Sequence, residues 1–224
     1  MRSVDELATA IRRRAHGRKR FFVAIAGPPG AGKSTLSSEL AACLSPDRSA
    51  VVQGDGFHYD NAVLDQIGRR NRKGAKDTFD CRGLEMILQR LRSGEDGVAI
   101  PLFDRSLDVS RAGAALVNSA IKYIVVEGNY LLLDSSPWSS LASYFDFTIM
   151  ISVPRPELER RLIGRWIDLG RSGDEARHWV NSNDLPNVDV VLKESGRADM
   201  TWAKHCNEAS VSMSGGRKRP GRNM

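Results

Sequence analysis

The stretch Gly27-Pro28-Pro29-Gly30-Ala31-Gly32-Lys33-Ser34-Thr35 sets glycines, one lysine and two hydroxyls at the spacing G-x-x-x-x-G-K-[ST]. Glycines at this spacing let the main chain curl until several N–H groups point inward, a geometry suited to a polyphosphate. A helix starting at the end of the loop adds its positive dipole end. Lys33 has the length to reach β- and γ-phosphates, and the Ser34 hydroxyl suits Mg²⁺. The stretch predicts an ATP-type nucleotide held with Mg²⁺. It does not say where a phosphoryl group would go.

Moving a phosphoryl group requires positioning and charge compensation more than covalent chemistry. Asp55 follows an apolar run by two residues and is set to accept a hydroxyl proton or to ligate Mg²⁺ through water. Glu127 ends Ile124-Val125-Val126, an acid at a buried strand end in the Walker-B manner, and is expected to hold Mg²⁺ with Ser34. Arg160, Arg161, Arg165 and Arg171 fall on one predicted helix and its exit, where guanidinium groups would meet the γ-phosphate, and spacing alone does not single out which of them points inward. His58, Tyr59, Asp80 and Arg105 lie in loops expected near the acceptor. His16, His178 and His205 read as structural or surface residues.

The elements that must carry these residues alternate between strand and helix. Phe21–Ala26 enters the loop as a strand, and residues 36–44 leave it as a helix with Leu36, Leu40, Cys43 and Leu44 on one face. Residues 50–53, 123–126 and 147–153 read as strands, the last two as buried apolar runs, and residues 200–202 as a short final one. Residues 98–103 read as an edge strand because of Pro101, residues 104–111 as a loop, and residues 114–120 are ambiguous. Helices are expected over residues 4–11, 60–66, 84–91, 155–169 and 174–181, with Asn183-Asp184-Leu185-Pro186-Asn187 breaking the pattern. This is an α/β chain with a parallel sheet covered on both faces. Ligands of such sheets sit beyond the carboxyl ends of the strands, so the loop, Asp55, Asp104 with Arg105, and Glu127 should converge. The expected organisation is an N-terminal helix and basic run (residues 1–20), one domain over 21–209 with an arginine-bearing helical lid at about 155–182, and a disordered basic tail (210–224).

The chain has 224 residues and a net charge of +6. Residues 1–20 hold seven Lys/Arg against two Asp/Glu, and residues 210–224 hold four basic residues and no acid, so the body between is slightly acidic. Charge confined to the ends suits solvated termini and speaks against a nucleic-acid-binding face. No apolar run is long enough for a membrane span, and the first 20 residues lack the apolar core of a signal peptide. Three widely spaced cysteines without C-x-x-C suit the reducing cytoplasm, with neither a disulfide framework nor a zinc site.

In order along the chain stand Gly27 to Ser34, Asp55-Gly56-Phe57-His58-Tyr59, Lys73-Gly74 with Thr78-Phe79-Asp80, Pro101-Leu102-Phe103-Asp104-Arg105, Val126-Glu127-Gly128-Asn129-Tyr130-Leu131-Leu132 and Asn183-Asp184-Leu185-Pro186-Asn187. Over roughly residues 20 to 203 this set resembles the P-loop kinases of the uridine kinase, phosphoribulokinase and bacterial pantothenate kinase superfamily. Within it the set looks most like the bacterial proteins called fructose transport system kinases. The resemblance implies ATP-dependent phosphorylation of a hydroxyl on a small metabolite, and it leaves a homodimer open. It matches Asp55 to the base, Glu127 to the metal-side acid, Asp80 to the acceptor-binding aspartate and Arg161, with Arg165 and Arg171 beyond it, to the lid arginines. Gly164 stands where relatives often carry a further arginine.

Two other readings compete with a kinase. A GTPase or ATPase switch is one. For guanine it needs N-K-x-D, which is absent, and Asp80-Cys81-Arg82-Gly83 fits D-x-x-G without an apolar strand before it. Met213-Ser214-Gly215-Gly216 loosely matches a transporter-ATPase signature but lies in the polar tail. A nucleotide-sensing regulator without an acceptor is the other alternative.

Overall fold

Two strands, β1 (Phe21–Ala26) and β5 (Tyr123–Gly128), are buried along their whole length, as the apolar runs over 21–26 and 123–126 require. They pair side by side at the centre of a parallel sheet in a computed structural model that describes residues 3–203. The expected basic tail, with His205, Cys206 and residues 213–216, lies outside the described residues. The sheet order is β2 (Ser49–Gln53), β5, β1, β6 (Phe147–Ser152), β7 (Met200–Ala203), and every pairing is parallel. Register sets Val23 beside Val125, Ile25 beside Glu127 and Gln53 beside Glu127, so the tips of β1, β5 and β2 end together.

Alternation along the strands divides the core between two faces. Phe21, Val23, Ile25 and Val125 pack on one side with α1 (Val4–Arg14), α2 (Lys33–Leu44), α5 (Arg155–Asp168) and the start of α7 (Leu185–Glu194). Phe22, Ala24, Ile124 and Val126 pack on the other with α4 (Cys81–Ser93), Tyr130 and Trp138. A fully buried Leu, Ile or Phe contributes about 1.5–3 kcal/mol, so both faces hold the strand tips firmly. Two short helices, α3 (Asn61–Gln66) and α6 (Gly173–Trp179), complete the set.

Three local expectations are corrected. The basic N-terminal segment is not a solvated end: Leu7, Ala8 and Ile11 of α1 are fully buried. Its arginines seal edges, with Arg12 donating to Cys43 O at 2.7 Å, Arg18 pairing with Asp146 at 2.7 Å and buried Arg20 donating to Asn118 O at 2.9 Å. Residues 98–103 do not edge the main sheet. β3 (Val98–Asp104) pairs antiparallel with β4 (Val109–Val117) in a separate hairpin, which absorbs Pro101 at a register shift. Asn183 to Asn187 is no break either, because a π-helical stretch (Val180–Asp184) runs into α7 with Pro186 in its first turn, where a missing N–H costs little.

Candidate active site

The loop between β1 and α2 is shaped by glycine at three points. Gly30 and Gly32 take φ of 79° and 89°, a region open to glycine and strained for other residues. A Cβ on Gly27 would stand 3.2 Å from Ile151 Cβ. Pro28, Pro29 and Ala31 are buried, and the Ala31 amide donates to Pro28 O at 3.1 Å. Gly32 is the N-cap of α2 with no side-chain hydrogen bond, while Ser34 and Thr35 are exposed in the first turn. Open amides at a helix start, with glycine curvature before them, fit a triphosphate.

Lys33 is buried, and its Nζ donates to Pro28 O at 3.1 Å and to Asn129 Oδ1 at 2.6 Å. Burial pushes the ammonium below its usual range, while Glu127 and Asp55 pull it back up. Glu127, 2 % exposed, accepts from Ser34 Oγ at 3.0 Å through Oε1. Burial and then nearby Asp55 hold its carboxyl above the ordinary range, against Lys33 and the Ser34 hydrogen bond. Asp55 sits in the single 3-10 turn Gly54–Phe57 that follows β2. Burial would raise its carboxyl, but His58, Arg105, Lys33 and Arg165 together hold it below the ordinary value. The two acids and Lys33 therefore share one field at the strand tips.

The turn bearing Asp55 is clamped. A Cβ on Gly54 would fall 2.9 Å from Glu127 O, and one on Gly56 2.7 Å from Pro101 O. The first contact is with the tip of β5 and the second with β3 of the hairpin. The hairpin in turn delivers Arg105, whose Nη2 donates to Asp55 Oδ2 at 2.9 Å. His58 Nδ1 lies 2.8 Å from Asp55 O, and its ring lies tilted against Phe79 and Phe103, centroids 3.9 and 4.9 Å away. Burial keeps that imidazole below its usual value.

Two arginines of α5 reach this region by different routes. Arg161 pairs with Glu157 at 2.7 Å and donates from Nη1 to Gly30 O at 3.3 Å, touching the loop itself. Arg165 lies 3.8 Å from Asp184 and shares the fields of Arg105 and Asp55. Arg160 pairs outward with Glu157 at 2.8 Å, and Arg171 stacks between Trp166 and Trp179 at 4.5 and 4.7 Å.

The remaining expectations divide. Asp80 uses Oδ1 to accept from the Gly83 amide at 2.8 Å, which makes it the N-cap of α4. Tyr59 is half-buried beside Asp80 and Cys81, its phenol raised mainly by burial. Asp104 does not join the convergence: it accepts from Ser106 and Leu107 and closes the hairpin turn. Sequence reasoning missed Asn129, the partner of Lys33, although its place two residues past Glu127 on a strand tip was a usable signal. It also missed Asp184, whose Oδ2 accepts from Trp166 Nε1 at 2.6 Å.

Serine hydroxyl and carboxylate oxygens suit a hard cation such as Mg²⁺, which is often bound by one or two protein oxygens plus substrate phosphates. Among the described residues no group of three or more His, Cys, Asp and Glu side chains forms a protein-only cage. No helix among them is long and apolar enough to cross a membrane.

Comparisons with known proteins agree with this architecture. No family model matches the chain. It is 37% identical over 186 residues to the Escherichia coli K12 protein YggC, covering 81% of this chain and 77% of that one. It is 32% identical over 215 residues to the pantothenate kinase of Sorangium cellulosum, covering 84% and 70%. A crystal structure from Silicibacter sp. TM1040, provisionally named a fructose transport system kinase, superposes with a TM-score of 0.86 at 40% identity, over 90% of this chain and all of that one. The chain belongs to the P-loop kinase superfamily of uridine kinase and pantothenate kinase, and is a small-molecule phosphotransferase that uses ATP.

Proposed function

We propose that the chain transfers the γ-phosphoryl group of ATP to a hydroxyl of a small metabolite of the sugar, nucleoside or pantothenate-like alcohol kind. The observation that carries this reading is the shared field of Lys33, Asp55 and Glu127 at adjacent strand tips. Asp55 takes the proton of the attacking hydroxyl. Its depressed pKa keeps it ionised at neutral pH. Lys33 compensates the β- and γ-phosphate charge, and Arg161 and Arg165 add positive charge from a lid spanning about 155–182. Ser34 and Glu127 would hold Mg²⁺, which supplies charge neutralisation between the phosphates. His58, Tyr59 and Arg105 line the acceptor side. Asp80 belongs to the helix cap that orders that wall.

The test is ATP turnover against a panel of sugars, nucleosides and pantothenate-like alcohols. Phosphorylated product with one class of acceptor is the expected result, and Asp55→Asn should lose about 10²–10⁴ in kcat with ATP affinity kept. ATP consumption indifferent to every acceptor would favour a P-loop ATPase or nucleotide-sensing role.

A further inference from the structure

The contact between Arg105 and Asp55 restrains the base. Arg105 Nη2 donates to Asp55 Oδ2 at 2.9 Å, and a guanidinium on that oxygen competes with a hydroxyl proton for it. Other acids near the hairpin turn are already engaged: Asp104 by Ser106 and Leu107, and Asp108 by Lys73 at 2.9 Å. Lys73 is committed in turn, donating also to Asn61 Oδ1 at 2.7 Å. Arg105 and Arg165 each act on Asp55 and each disfavours the charge of the other. Lys33 and Arg165 have the phosphates of ATP to answer their charge. Arg105, carried on the hairpin, pairs with Asp55 and meets Glu127 only at longer range, and Asp55 becomes neutral when it takes the proton. The Arg105 side chain is more than half exposed, with room to turn toward a ligand.

We propose that the acceptor carries an anionic group, carboxylate or phosphate, beside its reacting hydroxyl, and that this group draws Arg105 from Asp55 and so frees the base. This rests on the kinase reading above. With Arg105 engaged by the acceptor, the hydroxyl proton passes to Asp55 Oδ2 and the acceptor oxygen bonds to the γ-phosphorus. The bond from that phosphorus to the β–γ bridging oxygen breaks, and its electron pair leaves with ADP. A neutral alcohol lacks the group that opens the ion pair, so it meets a base whose Oδ2 is already held by Arg105. A site built around a charged partner rejects analogues that lack it by large factors.

The test uses matched acceptors with the full-length protein: glycerate, glycerol 3-phosphate and glycerol, then pantothenate and pantothenyl alcohol, and gluconate and glucose. At least one acid is expected to exceed its neutral twin about 10²-fold in kcat/KM, and the glycerate and glycerol 3-phosphate arms separate carboxylate from phosphate. In Arg105→Gln that ratio falls at least tenfold, and Arg105→Lys restores part of it. The acidic limb of the kcat/KM profile also moves to higher pH in Arg105→Gln, because Asp55 of the free enzyme has lost a cation that holds it low, a shift that a merely structural role would not produce. Neutral members phosphorylated as well as their acids, or an acid preference untouched in Arg105→Gln, would overturn the proposal and leave the kinase reading standing. ATP binding without phosphorylation of any member would overturn both.

Discussion

Ser34 Oγ donates to Glu127 Oε1 across 3.0 Å, tying the first turn of α2 to the tip of β5. The two residues are 93 positions apart, yet they meet because β1 and β5 run in register and α2 leaves the loop that follows β1. Hydroxyl and carboxylate already face each other at the place proposed for Mg²⁺. Glu127→Gln keeps the shape and an acceptor for Ser34 but removes the charge. Removing one such electrostatic group costs about 10²–10³ in kcat. The expected result is that loss together with a higher Mg²⁺ requirement and little change in metal-free nucleotide affinity, read by turnover across a Mg²⁺ titration.

The same variant carries a pH prediction. In the folded chain Glu127 titrates above its ordinary 4.5, so the fold binds that proton more tightly than the open chain does. Its contribution to stability is complete below about 4.5 and is lost as pH rises through the folded value. Asp55 has the opposite sign: its folded value lies below 3.8, so its contribution is present above that and is lost only in stronger acid. Glu127→Gln should therefore raise the ligand-free Tm relative to the parent at about pH 8, with the difference shrinking toward about pH 4. Thermal melts over that range check it, and a difference independent of pH would contradict an origin in the Glu127 proton.

Much of this site was legible because its carriers have unambiguous patterns. Phe21–Ala26 and the run ending at Glu127 are apolar throughout, and only central parallel strands use such runs in a chain this polar. What could not be read depends on pairing between distant segments. β4 carries Arg111, Gly113 and exposed Leu116, with no alternation to mark it, and its extended form is imposed by β3. Asn183 and Asp184 look like a helix breaker, yet each is buried with a remote partner, Lys73 O at 2.9 Å and Trp166 Nε1 at 2.6 Å. Arg18 and Arg20 look solvated in the sequence because their partners, Asp146 and Asn118, lie far along the chain.

Arg161 and Arg165 occupy neighbouring turns of α5 and should fail differently. Arg161 touches the loop at Gly30 O and is braced by Glu157, whose carboxyl is held down at about 2 by Arg160 and then Arg161. Arg165 instead shares the field of Asp55 and is backed by Asp184. Arg161→Ala is expected to raise KM for ATP about tenfold with a smaller change in kcat. Arg165→Ala is expected to lower kcat by about 10³, the scale of an arginine that meets transition-state charge. Inhibition by a phosphate mimic such as aluminium fluoride with ADP should weaken in both. Steady-state kinetics at saturating acceptor separate the two patterns, and identical losses would merge the roles.

Gly54 and Gly56 flank Asp55 where two backbones press in, and neither needs an unusual φ. An added Cβ meets Glu127 O at 2.9 Å in the first case and Pro101 O at 2.7 Å in the second. Backbone oxygens cannot swing aside as a side chain would, so the strain must move an element, at about 1–3 kcal/mol. Gly56→Ala pushes on β3 and so on the hairpin that holds Arg105. It should lower Tm and raise KM for the acceptor while KM for ATP stays close to the parent. Gly54→Ala pushes on the tip of β5 and should instead disturb the Mg²⁺ dependence through Glu127. Gly164 is the control, since nothing stands within 4 Å of its added Cβ and it lies inside α5. Gly164→Ala should stabilise the chain by about 0.5–1 kcal/mol, because alanine loses less freedom than glycine on entering a helix. A Gly56→Ala protein as stable as the parent, with both KM values unchanged, would show that the hairpin yields freely and does not fix the position of Arg105.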